Sequence, residues 1–384
     1  MIKIKKSDIF AYATIILFAI QFFSNHIGIC TFIDNTGLKH LCIVVAIMWG
    51  IIPDLRPVGR FRLYTFNYEI IRIMSVLLAL IFISFIYMAI NGFATFWISE
   101  TYFFIAPPLF VYVIFKKNYT LERFERFLNL FMNVITVLFF VFVVQRLLSG
   151  RVLYFSFTES ESPFELEIAH VFLLLYIFYT VIGNGKRRII TAICCILAWK
   201  RMCLVYLVVF TVLHWKIKNK NVPQKYYVII TALFAVIPAL MQIVLTDSFS
   251  AWFYNAFGID LVDFMQFRFQ SLTTAFQSGI KSQGLGTYLY VDVPWYGSYV
   301  HMNMHNDIVR LYLEVSIIGL VIFLYGMASI ARNMYSFLVM VFMFIELAAS
   351  HMLGNGSVPF WILAYSVIFC FNKNTLQNAR VIQT

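Results

Sequence analysis

Charged residues are scarce in this sequence: only 12% of its 384 residues are charged, whereas 61% are hydrophobic. A soluble domain averages about 25% charged residues and about 45–50% apolar residues. A soluble fold would have no place for the additional apolar side chains. The composition therefore excludes an ordinary soluble domain and predicts an all-α, polytopic integral membrane protein built as a helix bundle.

Cysteine spacings typical of metal or redox sites and long basic tracts are also missing. The six cysteines have no spacing typical of a metal centre or a redox pair. The net charge of +11 would suit a nucleic-acid partner, but the basic residues are spread over short loops between apolar runs. This distribution is typical of the cytoplasmic loops of membrane proteins. We therefore expect no metal, no cofactor and no nucleic-acid partner.

Long apolar runs are abundant, and a helical span needs about 20 residues. They predict about 12 crossings in a single membrane domain, residues 1–384, with both termini in the cytoplasm because basic residues lie near both ends. The predicted spans are 8–28, 40–52, 70–90, 101–115, 127–148, 168–182, a hairpin of two within 189–215, 226–245, 306–331, 334–350 and 359–371.

The apolar run 189–215 carries Lys200 and Arg201 near its middle. A single helix would place both charges in mid-bilayer and would put the basic clusters 186–188 and 216–220 on opposite sides, against the positive-inside rule. A hairpin of two short helices keeps both clusters inside and places the two charges at its turn. We favour the hairpin. Each of its arms is shorter than a full span, so the turn lies below the periplasmic surface, where charges are costly and typically functional.

The longest segment that is not a span, 246–304, is predicted to be a large periplasmic loop. Within it, residues 260–277 have the periodicity of a lateral amphipathic helix. Arg268 falls within the apolar face, so its guanidinium either reaches lipid phosphate along the membrane surface or points into a cavity. The apolar face contains Leu261, Phe264, Met265, Leu272, Ala275 and Phe276.

Together with Arg201, four features in chain order resemble the family of O-antigen polymerases and ligases. These features are Arg268, the turn Gly284-Leu285-Gly286, the pair His305-Asn306, and the ending Glu314 to Gly319. The resemblance covers the architecture and these short motifs. It implies a glycosyltransferase that acts at the periplasmic face of the bacterial inner membrane on glycans linked to undecaprenyl diphosphate.

Within this family we favour a polymerase, which transfers a growing chain to the next lipid-linked repeat unit. The alternative enzyme is a ligase that passes the chain to lipid A core. An alternative of another class is a flippase or other transporter for lipid-linked oligosaccharides. The expected partners are the glycan donor and acceptor, membrane lipids and a chain-length regulator protein.

The resemblance implies that His305, Arg201 and Arg268 are catalytic. His305 would deprotonate or orient the acceptor, since a position at the start of a helix favours the neutral imidazole. The two guanidinium groups would hold the departing diphosphate, because arginine is always charged and its planar fork matches phosphate oxygens. Residues expected to bind or orient substrate are Gly284, Gly286, Trp295, Tyr299, Asn306, Arg310 and Glu314.

Simpler interpretations remain open for several of these residues. The glycines suit an ordinary tight turn, and Trp295 and Tyr299 suit an interfacial aromatic belt. Arg310 and Glu314 have the i, i+4 spacing of a helical ion pair, so each would satisfy the other.

Overall fold

The computed structural model is predominantly helical in the part of the chain that it describes, with one short β-hairpin. The described residues are 12–14, 16–17, 23, 38–51, 67–115, 121–149, 164, 166–217, 220–265, 267–295, 298–353 and 357–381. Most of the predicted first span, 8–28, lies outside them.

Fifteen helices and two strands follow one another along the described chain. The helices before the long loop are α1 Leu38–Ile51, α2 Asn67–Asn91, α3 Trp97–Phe115, α4 Leu121–Leu148, α5 Ala169–Val181, α6 Gly185–Leu197, α7 Arg201–Lys216, α8 Gln224–Ala235 and α9 Ile237–Val244. The remaining elements are α10 Asp247–Phe257, α11 Leu261–Met265, α12 Phe267–Gln277, β1 Tyr290–Trp295, β2 Ser298–Asn303, α13 Asp307–Ala328, α14 Met334–Ala349 and α15 Val358–Val381.

Five segments among the described residues are long and apolar enough to cross a membrane. They are Tyr68–Asn91, Trp97–Ile114, Phe124–Leu148, Gln224–Val244 and Asp307–Ala328. Three shorter apolar helices accompany them: Ala169–Val181, Met334–Ala349 and Val358–Lys373. The chain is thus helical with several candidate spans, while twelve crossings and their sidedness stay predictions.

The chain divides into two compact units whose segments alternate along the sequence. The first contains Met1–Ile70, Ala106–Asn219 and Pro359–Thr384, and the second contains Ile71–Ile105 and Lys220–Val358. In the first unit, α5 packs against α4, α6 and α7. In the second unit, α13 packs against α8, α9 and α14.

The segment 189–215 forms two helices, as the hairpin interpretation predicts. Helix α6 ends at Leu197, and α7 begins at Arg201. Between them Trp199 has a φ of 54°, a left-handed conformation that a right-handed helix cannot accommodate. The two helices have 13 and 16 residues, so each is shorter than a full span.

The predicted lateral helix 260–277 is divided into α11 and α12. Leu261, Leu272 and Ala275 are buried, as the predicted apolar face requires, but Phe264 is 38% exposed. The Oδ1 of Asp260 accepts a hydrogen bond from the backbone N–H of Val262 at 2.7 Å, which fixes the first turn of α11.

A β-hairpin follows, where the sequence interpretation had only a loop with aromatic side chains. Strands β1 and β2 pair antiparallel, with Val291 opposite Met302 and Val293 opposite Val300. Val291 and Val293 are buried, as alternation along a strand requires. The buried cluster that joins α12, the hairpin and the start of α13 consists of Leu272, Ala275, Tyr288, Val291, Met304 and Val309.

We predict that Gly286→Ala destabilises the fold by more than about 1–3 kcal/mol, because strained backbone at a non-glycine residue alone costs about that much and a clash adds to it. Gly286 has a φ of 87°, and an added Cβ would lie 2.7 Å from the carbonyl carbon of Phe96. The measurement is thermal unfolding of the purified protein in detergent. Gly279→Ala is the matched control, since Gly279 also has a positive φ but has open space around it. An equal effect of the two substitutions would contradict the packing argument.

Candidate functional site

Helix α13 begins with a side-chain cap directly after His305. The Oδ1 of Asn306 accepts a hydrogen bond from the backbone N–H of Val309 at 3.0 Å. This bond satisfies one of the N–H groups that lack a partner within the helix itself, as expected for asparagine at this position. Asn306 is buried, so the cap accounts structurally for a residue predicted to bind substrate.

Arg310, one turn into α13, is completely buried. Its Nη2 donates hydrogen bonds to Oε2 of Glu100 at 2.8 Å and to the backbone carbonyl of Leu353 at 3.1 Å. Its Nε lies 3.2 Å from Oδ1 of Asp307. The i, i+4 spacing allowed a pair with Glu314, but among the described residues the guanidinium pairs with Glu100, 210 positions away, and with Asp307.

Asp307 connects the start of α13 to the segment that follows α14. Its Oδ2 accepts hydrogen bonds from the backbone N–H groups of Met352 and Leu353. Its Oδ1 lies 3.2 Å from Nδ1 of His351. Neither His351 nor Glu100 was predicted from the sequence. The available signal was a polar residue beside an apolar run: His351 directly follows the run 334–350, and Glu100 directly precedes the run 101–115.

His351 also approaches the predicted catalytic histidine. The ring centroids of His305 and His351 are 6.4 Å apart, with nearly perpendicular planes. Because His351 is held by Asp307, the chain places a second imidazole beside His305 at the start of α13.

Glu314 binds the loop that contains the two glycines. Its Oε1 accepts a hydrogen bond from the backbone N–H of Tyr288 at 2.9 Å. The hydroxyl of Ser282 donates to the backbone carbonyl of Glu314. Two residues later, Ser316 has a φ of 65° inside α13, so the helix is interrupted directly after this contact. A non-glycine residue in that region is strained, and such strain is frequent at functional sites.

The Gly284-Leu285-Gly286 turn is packed against the protein's own chain. Both glycines have a φ of 87°, and a Cβ on Gly284 would lie 2.9 Å from the Cα of Ser84. The hydroxyl of Ser84 also accepts a hydrogen bond from the backbone N–H of Leu285 at 2.9 Å. These contacts explain why glycine is needed here, while binding of substrate by Gly284 and Gly286 stays a prediction.

Tyr288 ends this loop with its phenol turned inward. Its hydroxyl donates a hydrogen bond to the backbone carbonyl of Ile280. Burial raises the pKa of the Tyr288 phenol further above physiological pH, where the hydroxyl is a neutral donor in any case.

The remaining predicted residues are distributed over several elements. Arg268 lies on α12 and is half-buried, and Tyr299 on β2 is 75% exposed. Trp295 ends β1. Arg201 is the first residue of α7 and belongs to the first unit, whereas Arg268 and His305 belong to the second. A shared pocket for the three catalytic residues therefore stays a prediction.

Two carboxyl groups pair with one guanidinium in the second unit, and a third carboxyl group follows one turn later on α13. Glu100, Asp307, Glu314 and Arg310 are all fully buried. Buried ions are costly unless they are paired, and ionisable groups within candidate spans typically mark a functional site. The start of α13 is therefore the candidate functional site of this chain.

Comparison of the chain with protein-family models, with curated proteins and with solved structures finds no match.

We predict that Arg310→Met destabilises the protein by about 3–5 kcal/mol, because it removes the cation and leaves the carboxyl groups of Glu100 and Asp307 buried without it. The measurement is the free energy of unfolding in detergent. Arg126→Met is the control: Arg126 pairs with Glu122 at 3.0 Å, but both side chains are more than half exposed, so its loss should cost about 0–1 kcal/mol. Equal losses for the two variants would show that the buried pairing of Arg310 contributes nothing.

Proposed function

We propose that this chain is a membrane glycosyltransferase of the O-antigen polymerase type. It would join polyprenyl-diphosphate-linked oligosaccharide repeat units at the periplasmic face of the bacterial inner membrane. The resemblance of the motifs around Arg268, His305 and Asn306 supports this activity. The apolar helices support the membrane location.

The observation that carries the proposal is the position of His305. It directly precedes the capped N-terminus of α13, a candidate span whose first turn is tied by Asp307 and Arg310 to two other parts of the second unit. Catalytic groups must be held close to their productive geometry by surrounding contacts. A histidine at the start of a helix fixed in this way is suited to act as a general base.

In the proposed reaction, a hydroxyl of the acceptor glycan attacks the anomeric carbon of the donor. The new carbon–oxygen bond forms as the bond to the diphosphate oxygen breaks, and that oxygen leaves with the electron pair. His305 accepts the proton of the attacking hydroxyl. Arg201 and Arg268 stabilise the negative charge that develops on the leaving diphosphate, so the transfer is proposed to need no metal.

We predict that His305→Ala lowers the rate of chain growth by about 10²–10⁴-fold, the usual contribution of a general base. The assay incubates purified protein with lipid-linked repeat units and follows the ladder of product lengths on a gel. His301→Ala is the matched control, since His301 lies four residues earlier on exposed β2, 2.8 Å from Asp292, and should retain activity. Normal product length with the His305→Ala variant would contradict the role of this residue.

The same assay separates the polymerase from the ligase. A polymerase extends lipid-linked repeat units supplied alone. A ligase leaves them unchanged and forms product only when lipid A core is supplied as the acceptor.

Arg268→Ala should reduce the rate of chain growth by about a hundredfold or more, because a preorganised charge that stabilises the transition state typically contributes that much. Initial rates of chain growth measure the effect. Lys281→Ala is the control: Lys281 is an exposed cation in the same loop, so its loss should leave the rate within about twofold of the parent protein. If both variants lose activity equally, general electrostatic attraction explains the effect, and Arg268 has no specific role.

A transporter of lipid-linked oligosaccharides is the second candidate. Polar residues inside several spans are expected of a transporter, and the buried Glu100, Arg310 and Glu314 lie on two candidate span helices. A transporter would move lipid-linked glycans across vesicle membranes without forming a new glycosidic bond. Transport without chain growth by the parent protein would favour this candidate over the enzyme.

A further inference from the structure

Helix α10, Asp247–Phe257, has an aromatic face and no buried residue. At 100° per residue, Phe249, Trp252, Phe253 and Phe257 fall on one side of the helix. Their rings contact one another: the centroids of Phe253 and Phe257 are 4.9 Å apart, and those of Phe249 and Trp252 are 5.1 Å apart. Trp252 is 55% exposed and Phe257 is 59% exposed. The described part of the chain therefore leaves this aromatic face largely uncovered.

The opposite face of α10 is polar but nearly uncharged. It contains Asp247, Ser248 and Asn255, and the helix has no lysine or arginine. Thr246 caps its N-terminus by accepting a hydrogen bond from the backbone N–H of Phe249, and Gly258 ends it with a φ of 68°. The 11 residues would extend about 16 Å at 1.5 Å per residue, which is too short to cross a bilayer.

The chain position of α10 indicates what covers the aromatic face. The helix begins three residues after Val244, the end of the candidate span Gln224–Val244. That span has 21 residues, about 31 Å of helix, which matches a hydrocarbon core of about 30 Å. Its last residues therefore lie at a membrane–water boundary, and α10 starts at that boundary.

The exposed apolar surface continues from the end of this span onto α10. Leu240 and Ile243, near the end of the span, are 48% and 58% exposed. Only 17% of the span's apolar window is buried within the protein, so lipid is the natural environment of this surface. The aromatic face of α10 extends the same surface beyond the end of the span.

We propose that α10 lies in the membrane interface, with its aromatic face inserted among the lipids and its polar face in water. Tryptophan and other aromatic side chains favour this region, and short amphipathic helices bind there by burying their apolar face. Because α10 has no basic residue, neutral phosphatidylcholine is sufficient as the partner and anionic lipid is not required.

As a membrane anchor, α10 would also fix the depth in the membrane of the segment that follows it. The ring of Phe264 in α11 lies 5.5 Å from that of Phe253, centroid to centroid. Helix α11 is followed directly by α12, which carries Arg268. The proposal stands independently of the glycosyltransferase function; if that function holds, the anchor keeps Arg268 near the level of lipid headgroups.

The test uses the full-length protein in phosphatidylcholine vesicles, with its six cysteines replaced by alanine. A nitroxide label is attached at Trp252→Cys and, as the matched control on the polar face, at Asn255→Cys. Oxygen, which concentrates in the bilayer, and a water-soluble nickel chelate then compete to relax each label. We expect the label at position 252 to be accessible mainly to oxygen and the label at position 255 mainly to the chelate.

Two results would overturn the proposal. If both labels are equally accessible to the chelate, the aromatic face lies in water. If the label at position 252 is shielded from both reagents, another protein surface or a second copy of this chain covers the face.

A second measurement keeps the native cysteines. Vesicles of brominated phosphatidylcholine should quench part of the tryptophan fluorescence of the parent protein. That quenched fraction should decrease in Trp252→Phe, which retains an aromatic ring. Equal quenching of the two proteins would place Trp252 outside the lipid and would also overturn the proposal.

Discussion

The second unit depends on one buried cation. The guanidinium of Arg310 is fully buried and lies within hydrogen-bonding or ion-pairing distance of Glu100, Asp307 and the backbone of Leu353. These partners belong to α3, to α13 and to the segment after α14. A buried arginine is costly unless it is paired with opposite charge, which Glu100 and Asp307 provide here. The positions of these three parts of the chain are therefore mutually constrained.

This constraint reaches the loop that precedes α13 through Glu314. That carboxylate accepts a hydrogen bond from the backbone N–H of Tyr288, just after the glycine turn. The turn is closed by Ser84 of α2, and it leads into the β-hairpin that returns the chain to His305. The predicted catalytic histidine is thus held between a capped helix and a loop fixed by buried polar contacts. Contacts of this kind hold a general base close to its productive geometry.

Local signals in the sequence predicted local features well. The paired charges Lys200 and Arg201 predicted the break between α6 and α7, because two adjacent cations are not tolerated in mid-bilayer. Asn306 followed by an apolar run predicted the start of α13. Apolar periodicity predicted the buried side of α12, where Leu272 and Ala275 pack against the hairpin.

Features that depend on distant contacts were not predictable in the same way. The i, i+4 spacing favoured Glu314 as the partner of Arg310, but the partner Glu100 is 210 residues away and no local pattern connects the two. The β-hairpin was missed because aromatic residues and Pro294 obscured the alternation of Val291 and Val293, so the segment resembled an interfacial loop. His351 was not predicted because its role depends on a distant contact, the one between the segment after α14 and Asp307.

The central functional claim is the formation of a glycosidic bond with loss of lipid diphosphate, and product stoichiometry tests it most directly. Purified protein in vesicles would be supplied with lipid-linked repeat units alone, and all products would be quantified by mass spectrometry. The account predicts one released polyprenyl diphosphate for each new linkage between repeat units. Repeat units that remain single, with no released diphosphate, would contradict it.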